Sequence, residues 1–371
     1  MSTKNLIIGA GPSGITLAQR LAEKGERVQI IEKRSHIGGN CYDYLDEHGI
    51  LIHQYGPHIF HTNHEEVWNY LSRFTEFTNF EHKVLGSVDG KLIPIPFNLN
   101  SLSISFSEEQ AKSIEESLLK YYEYGSKVSI VDLRKKAKEE NDANLSFIAD
   151  YIYEKVFKNY TIKQWGITAE EINEDVLKRV PVVIGHDDRY FPHNKFQGMP
   201  RVGYTKMFEG MLDSENIHIT LDTDYKDVLS HMTYDRLFFT GPIDEYFGYK
   251  YGKLEYRKTL YQLETYDQFS YQENIVINYP NEHEYTRITE YKKFYPDLPN
   301  FNQDKTVICK EIPGIGDVEA YPVESAENLA ILEKYREEAN QLENVYFLGR
   351  LANFKYLDMD NTVKMALDFK I

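Results

Sequence analysis

The chain has 371 residues, with 42 Lys and Arg against 58 Asp and Glu, for a formal net charge of −16. That balance excludes nucleic acid and anionic membranes as partners, because the overall field repels them. Hydrophobic residues make up 42%, enough for one large core or a few modules, and no apolar run approaches the ~18 residues of a membrane span. The chain enters an apolar strand at once, so no signal or transit peptide is expected. Cys41 and Cys309 have neither CxxC nor metal spacing, which predicts a reducing, cytoplasmic setting without disulfides.

Asn5-Leu6-Ile7-Ile8 is an apolar run that ends in Gly9-Ala10-Gly11-Pro12-Ser13-Gly14. Ile15–Lys24 then has helical spacing, and Val28–Glu32 is a second apolar run ending in an acid. Strand, glycine turn, helix and strand make the dinucleotide-binding βαβ unit. Gly9 permits the tight turn, Gly11 lets backbone approach a pyrophosphate, and Gly14 lets the helix pack against the strand. After Pro12 a helix starts near Ser13, and its free amides and positive end favour phosphates. Glu32 is placed to accept hydrogen bonds from a ribose diol. After it, Lys33, Arg34, Gly38-Gly39 and Asn40 resemble the extended FAD signature of glutathione-reductase and amine-oxidase-like flavoproteins. Arg34 can meet a phosphate there, and the Gly-Gly pair lets backbone lie along the cofactor.

Ile50–Gln54 reads as a strand running into Tyr55-Gly56-Pro57-His58-Ile59-Phe60-His61-Thr62. Two His three apart could ligate a metal, but no carboxylate or Cys nearby completes a set, so no metal is expected. Glu65–Phe74 is a short amphipathic helix. Asp89-Gly90 between β-type runs signals a hairpin. From Ser107, an N-cap start, to about Gln164 the pattern is helical, with breaks near Gly125 and Asn141-Asp142. Phe157 to Gly166 mixes aromatics with polar residues at the end of this run. The polar stretch from Glu174 to Phe191, carrying Arg179 and a proline, predicts a lid.

A helix at Thr205–Leu212 and strands at Ile217–Leu221 and Arg236–Phe239 follow, the last returning to the cofactor at Gly241. Leu254–Leu263, Asn274–Tyr279, Tyr285–Glu290, Val307–Glu311 and Ala320–Val323 read as a second, antiparallel sheet. Asn328–Ala339 is helical. Val345–Leu348 is a strand ending in Gly349-Arg350, and Asp358–Asp368 supplies a last helix. The expected fold is α/β: a discontinuous FAD-binding Rossmann-like domain (1–80, 195–245, 325–371), an inserted helical subdomain (100–175), and an antiparallel β-sheet substrate domain (81–99, 176–194, 246–324).

From Asn5 to about Ala366 the chain resembles the UDP-galactopyranose mutase family. The motifs are Glu32-Lys33-Arg34 through Asn40, Tyr55 to Thr62, Tyr160-Thr161-Ile162-Lys163-Gln164-Trp165-Gly166, Lys178-Arg179-Val180-Pro181, Tyr190-Phe191, Gln197 to Pro200, Thr240 to Asp244, Leu254 to Arg257, Tyr285 to Ile288, and Gly349-Arg350 through Tyr356 and Asp358-Met359. The resemblance implies a flavoenzyme, cytoplasmic and often dimeric, that interconverts UDP-galactopyranose and UDP-galactofuranose for polysaccharide synthesis. In that family reduced FAD attacks the anomeric carbon through N5. UDP leaves, the sugar ring opens and recloses on the flavin, and UDP returns without net redox change.

Carried over residue by residue, Arg179 and Arg287 grip the diphosphate, a task for two fixed guanidinium groups inside an acidic protein. Tyr190, Tyr321 and Tyr356 add hydrogen bonds. Phe157 and Tyr160 stack on uracil, with Thr161 near the base. Trp165 lies beside the sugar, and Asn278 is a further polar contact. His58, His61, Arg350, Asp358 and Met359 lie at the flavin, His61 tuning its protonation or touching the sugar. Pro57, His82 and Val183 depart from the family pattern near the sugar or lid, which leaves UDP-N-acetylgalactose and dTDP-fucose as alternative substrates. An amine-oxidase-like FAD oxidoreductase shares the glycine motifs but does not predict the two arginines.

Overall fold

The computed structural model describes residues 3–166, 177, 180–299 and 304–371. They fall into two compact units: Met1–Phe80, Asn194–Arg257 and Glu319–Ile371 form unit 1, and Glu81–His193 with Lys258–Val318 form unit 2.

Unit 1 is built on a five-stranded sheet in the order Ile217–Thr220, Val28–Ile31, Thr3–Ile8, Tyr234–Phe239, Val345–Phe347. Every neighbouring pair is parallel. In chain order this is 3-2-1-4-5, the doubly wound arrangement, whose direction reverses at Thr3–Ile8. Strands covered on both faces should be apolar without alternation. Leu6, Ile7, Leu237, Phe238 and Phe239 are indeed all at most 1% exposed; truncating one to Ala would cost about 2–5 kcal/mol. The first helix, Pro12–Glu23, packs on the last, Met359–Asp368. Arg20 Nη1 donates to the carbonyls of Ala366 (2.6 Å) and Phe369 (2.9 Å), so opposite ends of the chain close one Rossmann-like layer.

Unit 2 carries a sheet whose strands run Tyr256–Tyr266, Thr306–Pro313, Arg287–Glu290, Val276–Asn278, Val84–Val88, Lys91–Ile95. The pairings are antiparallel except Val276–Asn278 with Val84–Val88, which is parallel. Asp89 (φ 50°) and Gly90 (φ 76°) turn the predicted hairpin, both in the left-handed region that a two-residue turn requires. The helices start at side-chain caps: Asn98, Ser107, Ser129 and Asp142 each accept from a backbone N–H of the first turn. The helical run from Ala143 continues through a wide i→i+5 segment, Tyr153–Lys158, into Asn159–Trp165, and stops at Gly166 (φ 61°). No helix among the described residues is long and apolar enough to cross a membrane.

Candidate functional site

In unit 1 the glycines form a cradle at the carboxyl end of the first strand. A Cβ on Gly14 would stand 2.2 Å from the Gly9 carbonyl oxygen, and one on Gly39 would stand 3.0 Å from the Cα of Gly11. Two backbones therefore touch beside the helix that starts at Pro12, and no side chain caps that helix. Its first amides are left for an anion. Glu32 is 6% exposed. Its Oε2 accepts from the Ala10 amide (2.7 Å) and its Oε1 from the Arg34 amide (2.9 Å).

Arg34 lies over the Tyr55 ring (4.5 Å) and donates through Nη2 to Asn40 Oδ1 (3.0 Å). Its Nη1 is buried with no hydrogen-bond partner among the described residues. An unmatched guanidinium donor beside a backbone cradle fits the phosphate of a bound dinucleotide. Lys33, next to it, is exposed.

A second cluster in unit 1 joins the two ends of the chain. His58 donates its amide to His53 Nδ1 (3.0 Å) and sets its own Nδ1 2.9 Å from the Gly56 carbonyl. Burial, then the Arg350 guanidinium, lower the His58 ring to about 4. Arg350 donates to the Leu357 carbonyl and lies over the Tyr356 ring (4.9 Å). Tyr356 stacks on Tyr321 at 5.5 Å. Burial pushes its hydroxyl up, as do Tyr321 and the hydrogen-bonded Asp358. Asp358 stands at the N-cap of the last helix, just before Met359, and its carbonyl accepts from the Thr362 amide. His61, on the strand Phe60–Thr62, is lowered by burial against the opposing pull of Asp358 and Asp360. Gly349 (φ 90°) packs so tightly that a Cβ would stand 2.8 Å from Ser13 Oγ, and a Cβ on Gly241 would stand 3.0 Å from the Phe239 ring.

Unit 2 holds most of the residues predicted for a nucleotide, in two groups. Arg287 opens its strand and donates through Nη2 to the Tyr160 hydroxyl (2.8 Å). Phe157 (8% exposed) and Thr161 (6%) are buried on the same helical run, and Trp165 ends it. Asn278 pairs directly opposite Arg287 in the sheet. Its Oδ1 is buried and has no hydrogen-bond partner among the described residues. His82, 4% exposed, meets the rings of Tyr190 (5.6 Å) and Phe191 (6.0 Å), and its carbonyl accepts from the Tyr190 amide. Arg179 lies outside the described residues.

Sequence reasoning missed Glu311. It faces Arg287 across the sheet, its Oε1 3.6 Å from Arg287 Nε. Burial raises its carboxyl while Arg287 pulls it down. The available signal was a lone acid in the apolar strand Thr306–Pro313. Among the described residues no group of three or more His, Cys, Asp or Glu side chains is placed to hold a metal ion.

Comparison with known proteins gives a family and a fold. The family model described as UDP-galactopyranose mutase matches residues 155–356, and one for an NAD(P)-binding Rossmann-like domain matches residues 7–74. The chain is 40% identical to a probable UDP-galactopyranose mutase of Klebsiella pneumoniae, over 99% of this chain and 94% of the relative. It is 37% identical to a dTDP-fucopyranose mutase of Escherichia coli, over 98% and 97%. A crystal structure of reduced UDP-galactopyranose mutase shares the fold with a TM-score of 0.69 at 16% identity, covering 99% of this chain and 94% of that one.

Proposed function

Because the chain belongs to the UDP-galactopyranose mutase family of flavoenzyme isomerases, we propose that it holds FAD, works with the flavin reduced, and interconverts UDP-galactopyranose and UDP-galactofuranose. The product would serve cell-surface polysaccharide synthesis, and the enzyme would act in the cytoplasm as a homodimer. Bound in the glycine cradle, the reduced flavin supplies a nucleophile for the anomeric carbon of the sugar, with no net redox change over the cycle.

The protein's own part is to bind, orient and neutralise. The Ser13 and Gly14 amides and Arg34 Nη1 take the cofactor phosphates, and Glu32 takes a ribose hydroxyl. Phe157 and Tyr160 stack on the base, with Thr161 beside it. Arg287, with Arg179 as the second cation, balances the charge on the diphosphate when it leaves. Tyr190, Tyr321 and Tyr356 would add hydrogen bonds to that diphosphate, and burial raises the Tyr356 hydroxyl, which keeps it a donor. His61, its ring lowered by burial, would lie near the flavin. Asn278, with an unmatched acceptor, takes a sugar hydroxyl beside Trp165 and His82.

The observation that carries the reading is the guanidinium of Arg287 bonded to the hydroxyl of Tyr160 in a protein of net charge −16. A fixed cation beside an aromatic helix face suits a base linked to a diphosphate. A second reading, the same ring contraction on dTDP-fucose, is favoured by the Escherichia coli relative. UDP-N-acetylgalactose is a further variant.

The test is chromatographic. FAD-loaded, dithionite-reduced protein is given UDP-galactofuranose, dTDP-fucofuranose and UDP-N-acetylgalactosamine in parallel. Catalytic conversion of UDP-galactofuranose without stoichiometric loss of reductant is expected. Preference for the dTDP sugar selects the second reading. An oxidised sugar product with one electron acceptor consumed per turnover points instead to an amine-oxidase-like oxidoreductase.

A further inference from the structure

The loop that joins Val276–Asn278 to Arg287–Glu290 is tied to the helical run Tyr153–Trp165 at two points. Lys163 Nζ donates to three of its carbonyls: Tyr279, His283 (2.9 Å) and Tyr285 (3.2 Å). Asn281 Nδ2 donates to the Lys155 carbonyl (3.0 Å) inside the wide i→i+5 turn, and its Oδ1 accepts from Asn159 Nδ2 (3.0 Å). Such wide turns disturb the helical hydrogen-bond ladder and recur at functional sites.

An ammonium has three donors and no acceptor, so three converging carbonyls suit its charged form. Burial lowers Lys163 to about 8, which leaves it an ammonium at neutral pH. The loop is itself stiffened by its rings: His283 stacks on Tyr285 at 4.7 Å, and Tyr279 meets both edge-on. Lys163 follows Tyr160 by three residues, on the same helix face. The loop delivers the chain into Arg287, whose guanidinium reaches back to Tyr160.

We infer that Lys163 and Asn281 are positioning residues: they latch the loop to the helix and thereby hold the base-stacking face of Phe157 and Tyr160 at a fixed distance from the Arg287 guanidinium. A nucleoside diphosphate then meets a preset two-point receptor. Its second contact forms at the effective concentration the latch provides, without a further ordering cost. This rests on the nucleotide-sugar reading of unit 2.

The test uses full-length, flavin-loaded protein as wild type, Lys163→Met and Asn281→Ala. Dissociation constants are measured for UDP, which spans both contacts, and for uridine and pyrophosphate, which each use one. UDP affinity is expected to fall about tenfold or more in Lys163→Met, while uridine and pyrophosphate change by less than about threefold. KM for UDP-galactofuranose should rise with the UDP constant, and kcat should fall less. Asn281→Ala keeps the lysine and should show the same pattern more weakly, which covers a Lys163→Met chain that does not fold. Unchanged UDP affinity in both variants overturns the latch. Equal weakening of all three ligands also overturns it, since the residues would then support the helix and not the spacing. Wild type that binds UDP no more tightly than uridine sinks the nucleotide-sugar reading itself, a result visible before any variant is compared.

Discussion

Arg287→Ala perturbs two partners with different consequences. The side chain bonds to the Tyr160 hydroxyl at 2.8 Å and stands 3.6 Å from Glu311. Glu311 is 6% exposed and already pushed up by burial, so without Arg287 it becomes a buried acid that has lost its cation. Removing one partner of a buried pair costs about 3–5 kcal/mol. The Arg287 side chain is 26% exposed, and solvent screening brings the expected loss of stability to about 2 kcal/mol. Turnover should suffer more. Two charge-assisted bonds to a phosphate, at about 1.5–3 kcal/mol each, imply a fall in kcat/KM of about 10²–10⁴.

The double variant Arg287→Ala/Glu311→Gln separates these effects. It carries no buried acid at that site, so the melting temperature should recover while kcat/KM stays low. The assay pairs thermal melts with initial rates on UDP-galactofuranose under reducing conditions, after retained flavin has been measured by fluorescence. A double variant within about threefold of wild-type kcat/KM would remove the guanidinium from the path of the diphosphate.

Gly14→Ala drives a Cβ into the Gly9 carbonyl, which is backbone and cannot swing aside; purified protein should come out with little flavin and a lowered melting temperature, and wild-type flavin content would refute the cradle. Tyr160→Phe keeps the stacking ring but leaves Arg287 without its hydroxyl acceptor, so kcat/KM should drop by about fivefold to tenfold for a half-exposed bond to a charged group; steady-state kinetics check this, and an unchanged value refutes it. His58 sits at about 4, below its ordinary value near 6.5. The unfolded chain therefore takes up a proton between those values before the folded chain does. Stability from this group is full above about pH 6.5 and is lost as pH falls through about 4, by at most about 3 kcal/mol. Melting temperatures between pH 7 and pH 4.5 should fall less in His58→Asn than in wild type; parallel slopes would show that His58 does not matter to acid stability.

The Rossmann-like layer was legible because its devices are local. Glycines at 9, 11 and 14 and two apolar runs lie within some thirty residues, and each does its work where it stands. The first helix starts at Pro12, three residues before the periodic stretch. Proline at the first helical position needs no amide partner and carries no periodic signal. The helix Leu99–Ser105 went unread even though Asn98 and Ser101 form a capping box, because three serines and an asparagine dilute its apolar face. The wide turn at Tyr153–Lys158 has no sequence period of its own, so nothing in the chain announced it.

The nucleotide residues of unit 2 divide the same way. Tyr160, Thr161 and Trp165 share one short motif and were found together. Glu311 is 24 positions from Arg287 in the chain and meets it only through strand register, which sequence order does not encode. Lys163 looked like one more charge in a polar helix end, and only the return of the loop at Tyr279–Tyr285 turns three carbonyls toward it. The cofactor cradle is made largely of backbone, whose geometry depends on which residues can adopt it, so it leaves a mark in the sequence. The proposed nucleotide receptor is made of side chains matched across register and loop. Its residue types are visible in the sequence, but the partners that fix their spacing appear only once the strands have paired.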